Sequence, residues 1–157
     1  MDAFGRDVYR FAFSQVAETQ AAEDIYQEVF EAFFRSDTAF ESAAHLKHWL
    51  LKTASNRCKR YFRRRSQNRE VPFDPTADYH SRLAVHETNR SSEFHDVWDF
   101  VDALPPEQRE PIYLYYVEGY STREIAAITE VAHSTVRTRL RRARLALRTT
   151  LSKGEPR

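Results

Sequence analysis

Residues 121–147, STREIAAITEVAHSTVRTRLRRARLAL, restrict the fold more than any other stretch of this chain. Ser121 and Glu124 have the spacing of a capping box, which starts a helix, and Ile125, Ala126 and Ile128 supply its inner face. A turn closed by Val131 leads to a second helix starting at Ser134 or Thr135. In it Val136, Leu140, Ala143 and Leu147 step by four, three and four along one seam. Arg137, Arg141, Arg144 and Arg148 repeat those steps one residue later, flanked by Thr138 and Arg142. The pair has helix-turn-helix spacing. Its second helix joins an apolar seam to a wide basic face, which is what docking in a DNA major groove requires: side chains near its start reach base edges and later ones meet phosphates. Arginine suits this role because its planar fork bonds both guanine acceptors at once. Glu130 stands in the turn where such motifs favour glycine, and a left-handed conformation there costs about 1 kcal/mol.

Three glycines in 157 residues, and the scarcity of alternating β-branched segments, predict an all-α protein. A chain of this length holds one ordinary domain or two small ones. The single Cys58 excludes a disulfide framework or a Cys-rich zinc site within the chain and fits a reducing cytosol. No apolar run approaches membrane-spanning length, and the start MDAFGRDVYR lacks the basic-then-apolar order of a signal peptide. The expectation is a soluble cytoplasmic protein without direct membrane insertion.

A net charge of +1 conceals a sorted distribution. Residues 1–44 hold 3 Lys/Arg against 9 Asp/Glu, and residues 45–69 hold 9 against none. Residues 70–133 hold 4 against 13, and residues 134–157 hold 8 against 1. Two basic blocks therefore alternate with two acidic ones, the former suited to phosphate backbones and the latter to a basic protein partner.

In the first half, Val8, Phe11, Ala12 and Val16 predict a helix over Phe4–Val16. Ala22, Ile25, Tyr26, Val29, Phe30 and Phe33 predict a second over about Ala21–Phe34, whose other face carries Glu23, Asp24, Gln27, Glu28 and Glu31. After a loop at 36–44, a third helix is expected from about His45 to Arg65. Leu46, Trp49, Leu50, Thr53, Ala54, Cys58 and Tyr61 form its buried stripe, and Lys52, Asn56, Lys59 and Arg63 another face. The stretch from Ser66 onward has no sustained period, holds Pro72 and Pro75, and reads as a flexible linker. Patterning returns from Glu93, with Phe94, Val97, Trp98 and Val101 on one stripe. Leu104-Pro105-Pro106-Glu107 ends one helix and starts another, which turns Ile112, Tyr115 and Tyr116 inward and ends near Gly119. Pro111 inside that helix predicts a distorted first turn.

With these elements in place, the chain resembles a bacterial sigma factor of the extracytoplasmic function (ECF) group in the sigma-70 family, over nearly its whole length. AEDIYQEVF and HLKHWLLKTASNRCKRYFRRR resemble the family's region 2, which grips the polymerase clamp and opens the -10 element. ALPPEQREPIYLYYVEGYSTREIAAITEVAHSTVRTRLRRARLALR resembles region 4, which binds the -35 element. The resemblance implies two small helical domains at 1–68 and 93–152, joined by a flexible linker at 69–92 that threads a polymerase channel. It implies that Asp24, Gln27 and Glu28 face the clamp helices of core RNA polymerase, and an acidic non-core face agrees with a basic partner. It assigns Leu51, Thr53 and Asn56 to the upstream -10 edge, and Lys52, Lys59, Arg60, Arg63 and Arg64 to phosphates. Thr53 also falls on the buried stripe. Phe40 lies in the loop where the family captures an extruded base of the melted strand, and a loop anchor in the core is its other reading. Arg137, Thr138, Arg141 and Arg142 match the positions that read double-stranded -35 DNA, while Ser121, Thr122, Ser134, Thr135 and Arg144 suit its backbone. An anti-sigma partner is typical of the family.

An enzyme would need a catalytic constellation, and the sequence offers none. It calls for no cofactor and no metal: His45 and His48 lie three apart on a helix, but Leu46 and Trp49 beside them favour a surface or core-edge role. A stand-alone helix-turn-helix regulator shares the C-terminal features and leaves the first half unexplained. A protein that binds polymerase through the acidic helix and blocks it is a third reading.

Overall fold

The computed structural model describes residues 2–68 and 95–154, all of whose regular elements are helices. The helices are α1 (Asp2–Val16), α2 (Thr19–Arg35), α3 (Ala43–Gln67), α4 (His95–Asp102), α5 (Pro106–Tyr116), α6 (Thr122–Thr129) and α7 (His133–Gly154). Two compact units result, one holding α1–α3 and the other α4, α5 and α7, with α6 divided between them at Ala126. The expected linker at 69–92, and Phe94 of the next stripe, lie outside the described residues.

In the first unit each helix packs on the other two. Its core takes Val8, Phe11, Ala12 and Val16 from α1, Ala22, Ile25, Val29 and Phe30 from α2, and Leu50, Leu51, Ala54 and Cys58 from α3. The expected α3 stripe is displaced by part of a turn. Leu46, Trp49, Thr53 and Tyr61 are only half-buried, whereas Leu51 and Ser55 are fully buried. A helix packed against two neighbours buries a wider arc than a single seam, and Leu51 lies within that arc. α3 also starts earlier than its apolar pattern, because the Ser42 hydroxyl caps it by accepting from the N–H of His45 at 3.0 Å. Ala17, which ends α1, adopts a left-handed φ of 52°.

In the second unit α5 packs on α4 and α7, and α4 on α7. Pro105 is the N-cap of α5 and Pro106 its first residue. The helix runs unbroken through Pro111, and in its first turn the Pro105 carbonyl accepts from both Gln108 and Arg109 at 2.9 Å. Its burial runs from Arg109 to Leu114 on both flanks. The expectation that Tyr115 and Tyr116 point inward is therefore wrong: sandwiching between α4 and α7 uses up the preceding turn, and both tyrosines are exposed. Arg109, only 2% exposed, donates from Nη1 to the carbonyls of Asp102 at 3.1 Å and Leu104 at 3.0 Å, satisfying the end of α4.

Candidate nucleic-acid and polymerase interfaces

On α2, Asp24 and Gln27 are exposed, and Gln20 donates to Asp24 Oδ1 at 3.0 Å. Glu28 is half-buried and turned toward α3. Its Oε2 accepts from Arg60 Nη2 at 2.8 Å and lies 3.3 Å from Arg57 Nε. Two expectations thereby meet in one ion pair: Glu28, assigned to polymerase, and Arg60, assigned to phosphate, neutralise each other. Arg57, which no sequence pattern singles out, joins them, since spacing along one helix says nothing of pairing across two. The three line a groove of about 380 Å³ with Glu18, Asp24, Tyr61, Arg64 and Arg65, among others. Tyr61 donates to Glu18 Oε2 at 3.2 Å and accepts from Arg65 Nη1 at 2.8 Å. Burial pushes the Tyr61 hydroxyl above its ordinary pKa, while the charge and hydrogen bond of Arg65 pull it down and Glu18 adds to the rise.

The acidic face of α2 ends in Phe34, which is 74% exposed and sits seven residues beyond Gln27 on the same side. Apolar periodicity does not mark it, because its neighbour Phe33 fits the pattern. Phe40 is half-buried in an aromatic cluster, its ring centre 5.8 Å from Phe33, 5.7 Å from Trp49 and 5.4 Å from His45. His45 is itself engaged, its Nδ1 accepting from the N–H of Glu41 at 3.3 Å. Phe40 thus anchors the loop.

Along α3, Lys52, Asn56 and Lys59 are half-exposed and Arg63 and Arg64 exposed, in a row stepping by four, three and four from Lys52 to Arg63. Leu51 requires a correction. Its side chain is fully buried, so it has no surface with which to touch a -10 edge, and its contribution is to packing. Thr53 is half-buried, and its hydroxyl donates to the Trp49 carbonyl at 2.9 Å, a bond within the helix that also occupies its proton.

In the second unit the capping box forms as spaced. Ser121 N–H donates to Glu124 Oε2 at 2.8 Å, and Glu124 N–H donates to Ser121 Oγ at 3.2 Å. Ile125 and Ile128 are fully buried, as are Val136, Leu140 and Ala143 of α7, while Leu147 is half-buried. Glu130 in the turn takes the strained left-handed φ of 57°. α7 starts at His133, one residue before the earlier of the expected starts. Thr122 Oγ1 and His133 Nε2 lie 2.7 Å apart, so the first residues of the two helices are tied together. Arg137, Thr138, Arg141, Arg142 and Arg144 are all exposed on α7, with Ser134 exposed and Thr135 half-buried near its start. A groove of about 300 Å³ beside Ser134, Thr135, Thr138, Arg139 and Arg142 is closed by Glu107 and Gln108 of α5.

The family models "Sigma-70 region 2" and "Sigma-70, region 4" match residues 1–68 and 94–147. Among relatives, the ECF RNA polymerase sigma factor SigE of Mycolicibacterium smegmatis is 32% identical over 93% of this chain, which spans 58% of SigE's length. The ECF RNA polymerase sigma-E factor of Escherichia coli K12 is 31% identical over 79% of this chain and 70% of its own. The chain belongs to the ECF sigma factors. A solved structure of the sigma factor RpoE in complex with the anti-sigma factor NepR, from Bartonella quintana, superposes with a TM-score of 0.69 at 25% identity. It covers 98% of this ECF chain and 94% of that one. Among the described residues no helix is long and apolar enough to cross a membrane.

Proposed function

We propose that this ECF sigma factor binds core RNA polymerase and directs it to promoters, with residues 1–68 serving the clamp and the melted -10 element, 69–92 linking, and 93–152 reading duplex -35 DNA. The observation that carries this is the presence, in one chain, of an exposed arginine face on a capped helix-turn-helix and of a second basic helix beside an acidic one. Asp24, with exposed Glu23 and Glu31 on the same helix, offers the clamp an acidic surface beside the neutral amide of Gln27, and Phe34 adds an apolar anchor at its end.

α7 docks through Arg137, Thr138, Arg141 and Arg142 on base edges, with Ser121, Thr122, Ser134, Thr135 and Arg144 toward the backbone. On α3, Asn56 reads the -10 edge while Lys52, Lys59, Arg63 and Arg64 hold phosphates. Opening a duplex costs on the order of 1.4 kcal/mol per step, and contacts made only to the open strand offset it. The chain supplies recognition and no chemical step, in a cytoplasmic setting. An anti-sigma protein is a further partner, supported by the likeness to the B. quintana sigma factor bound to NepR.

Run-off transcription with purified core polymerase on a promoter library tests the reading. Specific initiation on a subset of templates is expected. Core binding without initiation on any template would turn the reading toward a blocking protein, and DNA binding without core binding toward a stand-alone regulator.

A further inference from the structure

We propose that Tyr116, with Tyr115, is a positioning residue that holds Arg144 of α7 in readiness for a DNA phosphate; this rests on the reading of α7 as the duplex-facing helix. The two tyrosines close α5 in an unexpected state for large aromatic side chains, 38% and 56% exposed. Their ring centres are 4.9 Å apart and their planes 73° from parallel, so together they form an open corner. The Arg144 guanidinium occupies it, its carbon 5.4 Å from the Tyr115 ring centre and 5.7 Å from that of Tyr116. Arg144 Nε donates to the Tyr116 hydroxyl at 3.0 Å.

This geometry leaves the useful part of the arginine free. The cation is attracted to both ring faces, and the one N–H spent on the hydroxyl is the Nε proton. The terminal nitrogens, which form the fork that grips a phosphate, keep their donors for a ligand. Arg144 shares a row with Arg137 and Arg141 and remains exposed. A long side chain already fixed in one rotamer loses less freedom when it binds, so the corner converts a mobile charge into a placed one.

The probe is a short random-sequence DNA duplex, because a phosphate contact is independent of sequence, and binding of the full chain is followed by anisotropy over a salt series. Tyr116→Ala is expected to weaken binding about three- to tenfold. Tyr116→Phe keeps the ring and loses the hydroxyl, and falls between it and the parent chain. Arg144→Ala flattens the logarithmic salt slope by up to about 0.9, and adding Tyr116→Ala to it has no further effect. Additive losses in the double variant, or parental binding and slope in both Tyr116 variants, overturn the proposal. Arg141→Ala separates the layers: if it weakens binding while Arg144→Ala does not, Arg144 touches no phosphate and only this inference falls. If neither matters, the duplex-facing reading of α7 falls and takes the inference with it.

Discussion

The two basic helices, α3 and α7, carry similar charge in different surroundings. On α3 the basic residues stand beside an acidic neighbour: Arg60 and Arg57 share the Glu28 carboxylate, and Lys52, Asn56 and Lys59 are only half-exposed. On α7 Arg137, Arg141 and Arg142 are exposed, and no carboxylate lies within ion-pair distance of them among the described residues. Both helices are bedded on two neighbours, α3 through Leu50, Leu51, Ala54 and Ser55 and α7 through Val136, Leu140 and Ala143, so the contrast lies in their charge. The difference fits the melted strand and the duplex proposed for α3 and α7. Duplex phosphates form a dense and regular array that rewards undiluted charge. A melted strand calls instead for a rigid surface whose charge is moderated, since stacking and shape carry more of its recognition.

The largest effect that could break this contrast is at Leu51. Leu51→Ala should destabilise the first unit by about 2–5 kcal/mol, read as a lower urea midpoint, because a fully buried side chain leaves a cavity. Unchanged stability together with lost -10 binding would place Leu51 on the DNA surface and make α3, like α7, a helix that meets DNA with residues on its open face. Next in size is Arg142→Ala, which should cost about 1–3 kcal/mol of -35 duplex affinity with core polymerase binding intact. A loss of core binding in that variant would mean that α7 is not a dedicated DNA helix.

How far the sequence could be read follows the same division. α1, α2, α6 and α7 present one apolar seam each, and residues such as Val8, Phe11, Val136 and Leu140 are buried where periodicity put them. The capping box of Ser121 and Glu124 and the strained turn at Glu130 were legible because each is set by local spacing. α3 and α5 were read less well, because burial on α3 extends to Leu51 and Ser55 beside the expected stripe and on α5 runs without a break from Arg109 to Leu114. The family resemblance, not periodicity, assigned Leu51 to a DNA-facing surface, and the helical pattern of α5 placed Tyr115 and Tyr116 in the interior. The site suffered for another reason: the Glu28 contacts to Arg57 and Arg60, and the Arg144 contact to Tyr116, join residues 28 or more positions apart. Such pairs leave no periodic trace.

The smallest effect is the one that tests attenuation itself. Glu28→Gln keeps the shape of the side chain and removes its charge, so Arg57 and Arg60 lose their shared counter-ion while the helices stay packed. Glu28 and Arg60 are each 40% exposed and Arg57 29%, so the pairing is partly screened by solvent and stability should change by less than about 1 kcal/mol. Affinity of the full chain for single-stranded DNA should rise by up to about fivefold at low salt, with a steeper salt dependence, because the freed guanidinium groups can meet phosphates. The same variant should leave duplex binding through α7 unchanged. A fall in single-strand affinity would point the other way: Glu28 would then hold Arg57 and Arg60 in their binding geometry rather than moderate their charge. Such a result would make α3, like Arg144 on α7, a helix whose arginines are placed by their neighbours.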